Sequence, residues 1–220
     1  TDCSFVSNSS THGAAVVNDG QSRIQNSIFS DNTQGPAIQN GYSAYYGQSI
    51  AIYNSIFDNN TNNGGLLLKK GGAIMNTRGS MYIQNSTFKE NSSDNGGAIF
   101  NDHGYISVWN SHFTDNSSLA SGGAIYNDVQ SSLAVLYSAF TGNVSSFSGG
   151  AIENNEYATI RESTFTGNSA RYGGGISTHT TAGSNSDLTI HNCTFSDNYG
   201  TESGSDIITD KTSVTITSST

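Results

Sequence analysis

The sequence predicts an all-β chain wound as a right-handed parallel β-helix of about eight three-stranded rungs. Three recurring features predict it. Phenylalanine is followed three residues later by asparagine at Phe5/Asn8, Phe29/Asn32, Phe57/Asn60, Phe88/Asn91, Phe113/Asn116, Phe140/Asn143, Phe165/Asn168 and Phe195/Asn198. Between successive phenylalanines lies Gly-Gly-Ala-Ile or a variant of it, ending at Val16, Ile38, Ile74, Ile99, Ile125, Ile152, Ile176 and Ile207. An apolar pair stands seven and five residues before the phenylalanine, as in Met81/Ile83, Ile106/Val108 and Leu133/Val135. A fixed unit separated by loops of variable length defines a solenoid and excludes an ordinary two-layer domain.

Each element has a physical reason. The double glycine suits a corner whose bend admits no side chain, and the Ala-Ile after it begins the first strand. In the second strand the apolar pair alternates with freely varying neighbours such as Arg23, Tyr82 and Ser107, so one face is buried and the other free. Three residues before each phenylalanine the chain places Asn26, Asn54, Asn85 and Asn110, with Asp2, Tyr137, Glu162 and Asn192 at the same phase. Asparagine tolerates the left-handed backbone of a tight corner, and stacked amides can hydrogen-bond from rung to rung. The third strand carries a small residue two positions before the phenylalanine, and Phe88, Phe113, Phe140 and Phe165 are expected to form one internal column. With a rise of about 4.8 Å per rung, eight rungs make a prism on the order of 38 Å long.

Residues 1–220 read as a single β-helix repeat domain. Thr1 starts just before a phenylalanine strand, and Val214 to Thr220 stop where the next phenylalanine is due. The expectation is a segment of a longer chain or a stackable filament unit. Only 34% of the residues are apolar, which a narrow solenoid core tolerates. A net charge of −9, with 8 Lys and Arg in total, excludes nucleic-acid binding through a basic face. No apolar run is long enough for a direct membrane span. Cys3 and Cys193 occupy the same inward phase seven rungs apart, roughly 34 Å, too far for a disulfide. Abundant Asn, Ser, Thr and Gly with little Lys suits an extracellular or cell-surface location.

Candidate contact residues come from the outward phases and the insertions. Met75, Phe100 and Tyr126 follow the motif isoleucines on successive rungs and are expected to form an exposed apolar stripe, the kind of surface that contacts partners. Trp109 points outward from the second strand beside Gln84 and Leu136. An insertion at 41–49 brings Tyr42, Tyr45 and Tyr46, and another at 61–70 brings Leu66, Leu67 and Leu68; repeat proteins place binding surfaces on such insertions. Asp102 and Asp128, on adjacent rungs, are a weak two-carboxylate Ca²⁺ candidate beside the simpler reading as solvated turn residues. The five histidines share no repeat phase and form no metal-binding spacing. No catalytic residue and no cofactor is assigned. Of the seven Asn-x-Ser/Thr sequons, Asn85 and Asn192 fall in the corner ladder and are expected to be inaccessible, with Asn8, Asn59, Asn91, Asn116 and Asn143 open to modification.

Gly96-Gly97-Ala98-Ile99 followed by Phe113-Thr114-Asp115-Asn116, and the alternation of these motifs along the whole chain, resembles the passenger domains of the chlamydial polymorphic membrane proteins. Those are autotransporter adhesins built on a right-handed β-helix. The resemblance implies a non-enzymatic adhesive or structural protein whose partner is a host-cell receptor or glycan. Two other readings stand beside it: a surface filament or sheath whose copies associate end to end or laterally, and a polysaccharide lyase or hydrolase, chemistries that other parallel β-helices carry.

Overall fold

The structure is a computed structural model that describes residues 1–41, 47–65, 69–179, 186–210 and 213–220. All regular elements among them are β-strands, and these pair in parallel, each strand with its counterpart one coil away. Three sheets of eight strands run the length of the solenoid. The phenylalanine sheet extends from Ser4–Val6 to Thr194–Ser196, the isoleucine sheet from Val16–Asn18 to Ile207–Asp210, and the long-strand sheet from Gln21–Gln25 to Ser213–Thr217.

The three-stranded rung needs correction. A further sheet of five strands, from Ser92–Asn95 to Tyr199–Ser203, lies between the phenylalanine strand and the double-glycine corner. Its inward side chains are Ser93, Ser118, Ser145 and Ala170, all buried. Serine carries no hydrophobic signal, so the alternation that marks the other strands is silent here. Two of the serines satisfy their hydroxyls on backbone acceptors, Ser93 Oγ donating to Gly96 O at 2.9 Å and Ser145 Oγ to Ser148 O at 2.8 Å, while the Ser118 hydroxyl has no such partner.

Apolar columns fill the interior. Phe29, Phe57, Phe88, Phe113, Phe140 and Phe165 are fully buried, and successive rings of the column stack with centroids 4.6 to 4.9 Å apart. That separation is the rung rise itself, so strand pairing and ring stacking reinforce one another. Parallel columns run through Ile74, Ile99 and Ile125 and through Ile83, Val108, Val135 and Ile160. The two glycines of the motif have different jobs. Gly96 and Gly122 adopt φ of +63° and +67°, the left-handed region. Gly97 and Gly123 carry no such angle, but a Cβ on either would collide with the carbonyl oxygen of the matching glycine on the next rung.

Polar columns hold the rungs as well. The asparagine of Phe-x-x-Asn turns inward and forms a continuous buried ladder. Asn116 donates its backbone N–H and its Nδ2 to Asn143 Oδ1 at 3.1 and 2.9 Å, and its Nδ2 also reaches Phe88 O at 3.0 Å. Equivalent bonds run through Asn32, Asn60, Asn91, Asn143 and Asn168 to Asn198. A second buried ladder joins Asn18, Asn40, Asn76, Asn101, Asn127 and Asn154, each Nδ2 donating to the next Oδ1 at 2.7 to 2.9 Å. The corner asparagines Asn26, Asn54, Asn85 and Asn110 also bond rung to rung, at 2.9 to 3.2 Å, with φ between 45° and 52°.

Sequon accessibility is therefore the reverse of the expectation at five of the seven positions, while Asn59 is exposed as expected and Asn8 is half-buried. Asn85 and Asn192 are exposed, because the left-handed corner turns its side chain outward, whereas Asn91, Asn116 and Asn143 are buried in the inner ladder. Both cysteines are free, Cys3 exposed and Cys193 buried.

Candidate functional site

The outer face of the isoleucine sheet puts Met75, Phe100 and Tyr126 in register on successive rungs, but it does not expose them as a stripe. Phe100 is 1% exposed, while Met75 and Tyr126 are half-buried. The covering comes from the insertion at 61–70, whose end lays Lys70 Nζ 4.3 Å from the Phe100 ring centre, and from Tyr126, stacked on Phe100 at 4.9 Å. Further along the column Glu153 and Ser177 are buried too. Tyr126 gives its hydroxyl to Asn155 Nδ2 as acceptor at 2.8 Å, and burial, then the carboxylates of Asp128 and Glu153, push its phenol well above the ordinary range.

Charges on this side are mostly paired. Glu153 is fully buried, and its Oε1 lies 2.8 Å from His179 Nδ1. That contact holds the imidazole above its ordinary value of 6.5, against the opposing effect of burial. Asp102 meets His103 Nδ1 at 2.5 Å, and Asp128 accepts from its neighbour Val129 N at 2.9 Å and sits 4.0 Å from Lys70 Nζ. Among the described residues no group of three or more His, Cys, Asp or Glu could hold a metal ion. Tyr42, Tyr45 and Tyr46 and the three leucines Leu66, Leu67 and Leu68 lie outside the described residues.

An exposed aromatic surface lies on the long-strand sheet instead. Alternation turns Tyr53, Tyr82, Tyr105, Trp109 and Tyr157 outward from the strands whose other faces carry Ile52, Ile83, Ile106 and Ile160. Tyr82, Trp109 and Tyr157 are about half exposed. Several rings are braced: Trp109 lies 5.0 Å from the corner residue Tyr137, Tyr82 lies 5.9 Å from Tyr105, and the Arg23 guanidinium sits 4.8 Å from the Tyr53 ring centre. Trp109 was legible in the sequence as an outward residue. The tyrosines around it could have been found by the same two-residue alternation, read for the outer face and carried across rungs.

The parallel β-solenoid thus combines asparagine ladders inside with an aromatic outer face. Residues 85–102, 110–128 and 162–179 match the Chlamydia polymorphic membrane protein repeat. Each matched segment is built from a corner asparagine or its equivalent, a phenylalanine strand, a double glycine and the following isoleucine strand. No curated protein and no solved structure matches the chain. Among the described residues no helix is long and apolar enough to cross a membrane.

Proposed function

We propose that the chain is a non-enzymatic, surface-displayed β-solenoid with an adhesive role, its rungs a rigid scaffold and its outer faces the contact surface. The match to the polymorphic membrane protein repeat carries this reading. Support comes from the division of labour across each strand, since the inner phases are uniform while the outer phases differ from rung to rung, as independent recognition residues would. Beads coated with the purified chain are expected to attach to cultured epithelial cells, and soluble chain is expected to compete them off. Attachment no greater than that of beads coated with an unrelated acidic protein would overturn the adhesive role. Release of reducing ends or unsaturated sugars from pectin, alginate or amylose by the pure chain would overturn its non-enzymatic part.

A further inference from the structure

We propose that the groove between Tyr53 and Trp109, on the outer face of the long-strand sheet, holds one pyranose ring of a neutral glycan. This gives the adhesive role a ligand class and rests on that reading.

Strand register sets the geometry. Tyr53, Gln84 and Trp109 occupy one outward column on three successive rungs. Two rung rises, about 9.6 Å, therefore separate the backbone positions that carry the two rings. In the interior column every rung carries a ring, and neighbours stack at 4.7 to 4.8 Å. The outer column alternates a ring, an amide and a ring, so a depression opens over Gln84 between the larger side chains of Tyr53 and Trp109. The depression is about 210 Å³, lined by Tyr53, Tyr82, Gln84, Ser107 and Trp109 with Ile83 at its base.

The lining chemistry selects a sugar. A pyranose presents apolar C–H faces, which suit the faces of Tyr53 and Trp109, and a rim of hydroxyls that both donate and accept. Gln84 and Ser107 in the depression can each do both in return. Charge excludes an ionic ligand: the outward residues of strands Ser49–Tyr53, Ser80–Gln84, Tyr105–Trp109 and Ser132–Leu136 include no Asp, Glu, Lys, Arg or His. The nearest cation, Arg23, is stacked on Tyr53, and the chain's net charge of −9 disfavours acidic sugars. Pre-organisation adds to this, since Arg23 braces Tyr53 from one side and Tyr137 braces Trp109 from the other, so little ring freedom remains to be lost on binding.

Trp109 is the one tryptophan in the chain, so its fluorescence reports on the groove directly. Lactose, maltotriose, mannotriose and N-acetyllactosamine are titrated against the full chain, with sialyllactose and a heparin oligosaccharide as acidic counterparts. At least one neutral sugar is expected to shift the emission saturably. Calorimetry with that sugar should show about tenfold weaker binding for Tyr53→Ala and Trp109→Ala, and near-parental binding for Trp109→Phe, with circular-dichroism melts unchanged. No response to any neutral sugar, a response to the acidic sugars alone, or full affinity in Tyr53→Ala would overturn the proposal. Bead attachment that requires Trp109 yet survives enzymatic removal of cell-surface glycans would overturn it in favour of a protein partner. Sugar binding that requires Trp109, without bead attachment to cells, would uphold the groove and overturn the adhesive role.

Discussion

Two asparagine ladders climb this solenoid, and they differ in what the rungs allow. At the inner phase, three residues after phenylalanine, asparagine occupies all eight rungs from Asn8 to Asn198. At the corner, three residues before phenylalanine, the same left-handed backbone accepts Tyr137 and Glu162, with φ of 53° and 49°. Burial explains the contrast. An inner asparagine serves the backbone N–H of the previous rung's asparagine and a phenylalanine carbonyl, both out of water, and no other side chain offers that donor and acceptor pair in the space. A corner asparagine bonds where water competes, so its replacement leaves nothing stranded.

Substitutions should separate the two regions in a definite order. Phe113→Ala opens a cavity between Phe88 and Phe140 and is expected to cost about 3 to 5 kcal/mol in urea unfolding, the largest effect. Asn116→Ala strands the Asn91 backbone N–H and the Phe88 carbonyl, for a loss of about 3 kcal/mol by the same measurement. Asn85→Ala gives up two exposed amide bonds and strains one left-handed residue, so about 1 kcal/mol is expected.

A smaller, pH-dependent effect belongs to the outer face. His179 has its pKa raised by the buried Glu153 carboxylate, with Asp210 adding a weaker field. A raised folded-state pKa stabilises below the unfolded value of 6.5, and that contribution fades as pH climbs through the folded value. Melting temperature should therefore fall slightly as pH rises from 6 toward and past that value, and His179→Gln should flatten the slope. An unchanged slope would mean that the pair contributes nothing across this range. The effect is small because the His179 side chain is partly open to solvent, where ion pairs are worth little.

Legibility followed hydrophobicity. The phenylalanine and isoleucine columns were readable because apolar residues at period two leave a pattern, and the corner was readable because asparagine has a known backbone preference. The fourth sheet was silent because most of its inward residues are serines, which carry no hydrophobic signal. The inner ladder was visible as a repeated asparagine but not as a buried one, since polar residues are ordinarily assigned outward. Its sign was invariance: Asn116 recurs as faithfully as Phe113. On the outer face, Phe100 was placed by alternation and misjudged for exposure, because alternation within a strand does not reveal Lys70 returning over it from another rung. Trp109 needed no such tertiary knowledge, and its exposure follows from the strand alone.

Contacts within the buried ladder join the rungs, while those at the corner merely decorate them. A pair of double-mutant cycles tests this division most directly, Asn116→Ala with Asn143→Ala against Asn85→Ala with Asn110→Ala, each followed by urea unfolding. A coupling of about 1 to 3 kcal/mol is expected for the buried pair and a value near zero for the corner pair. Equal couplings in the two cycles would contradict that division.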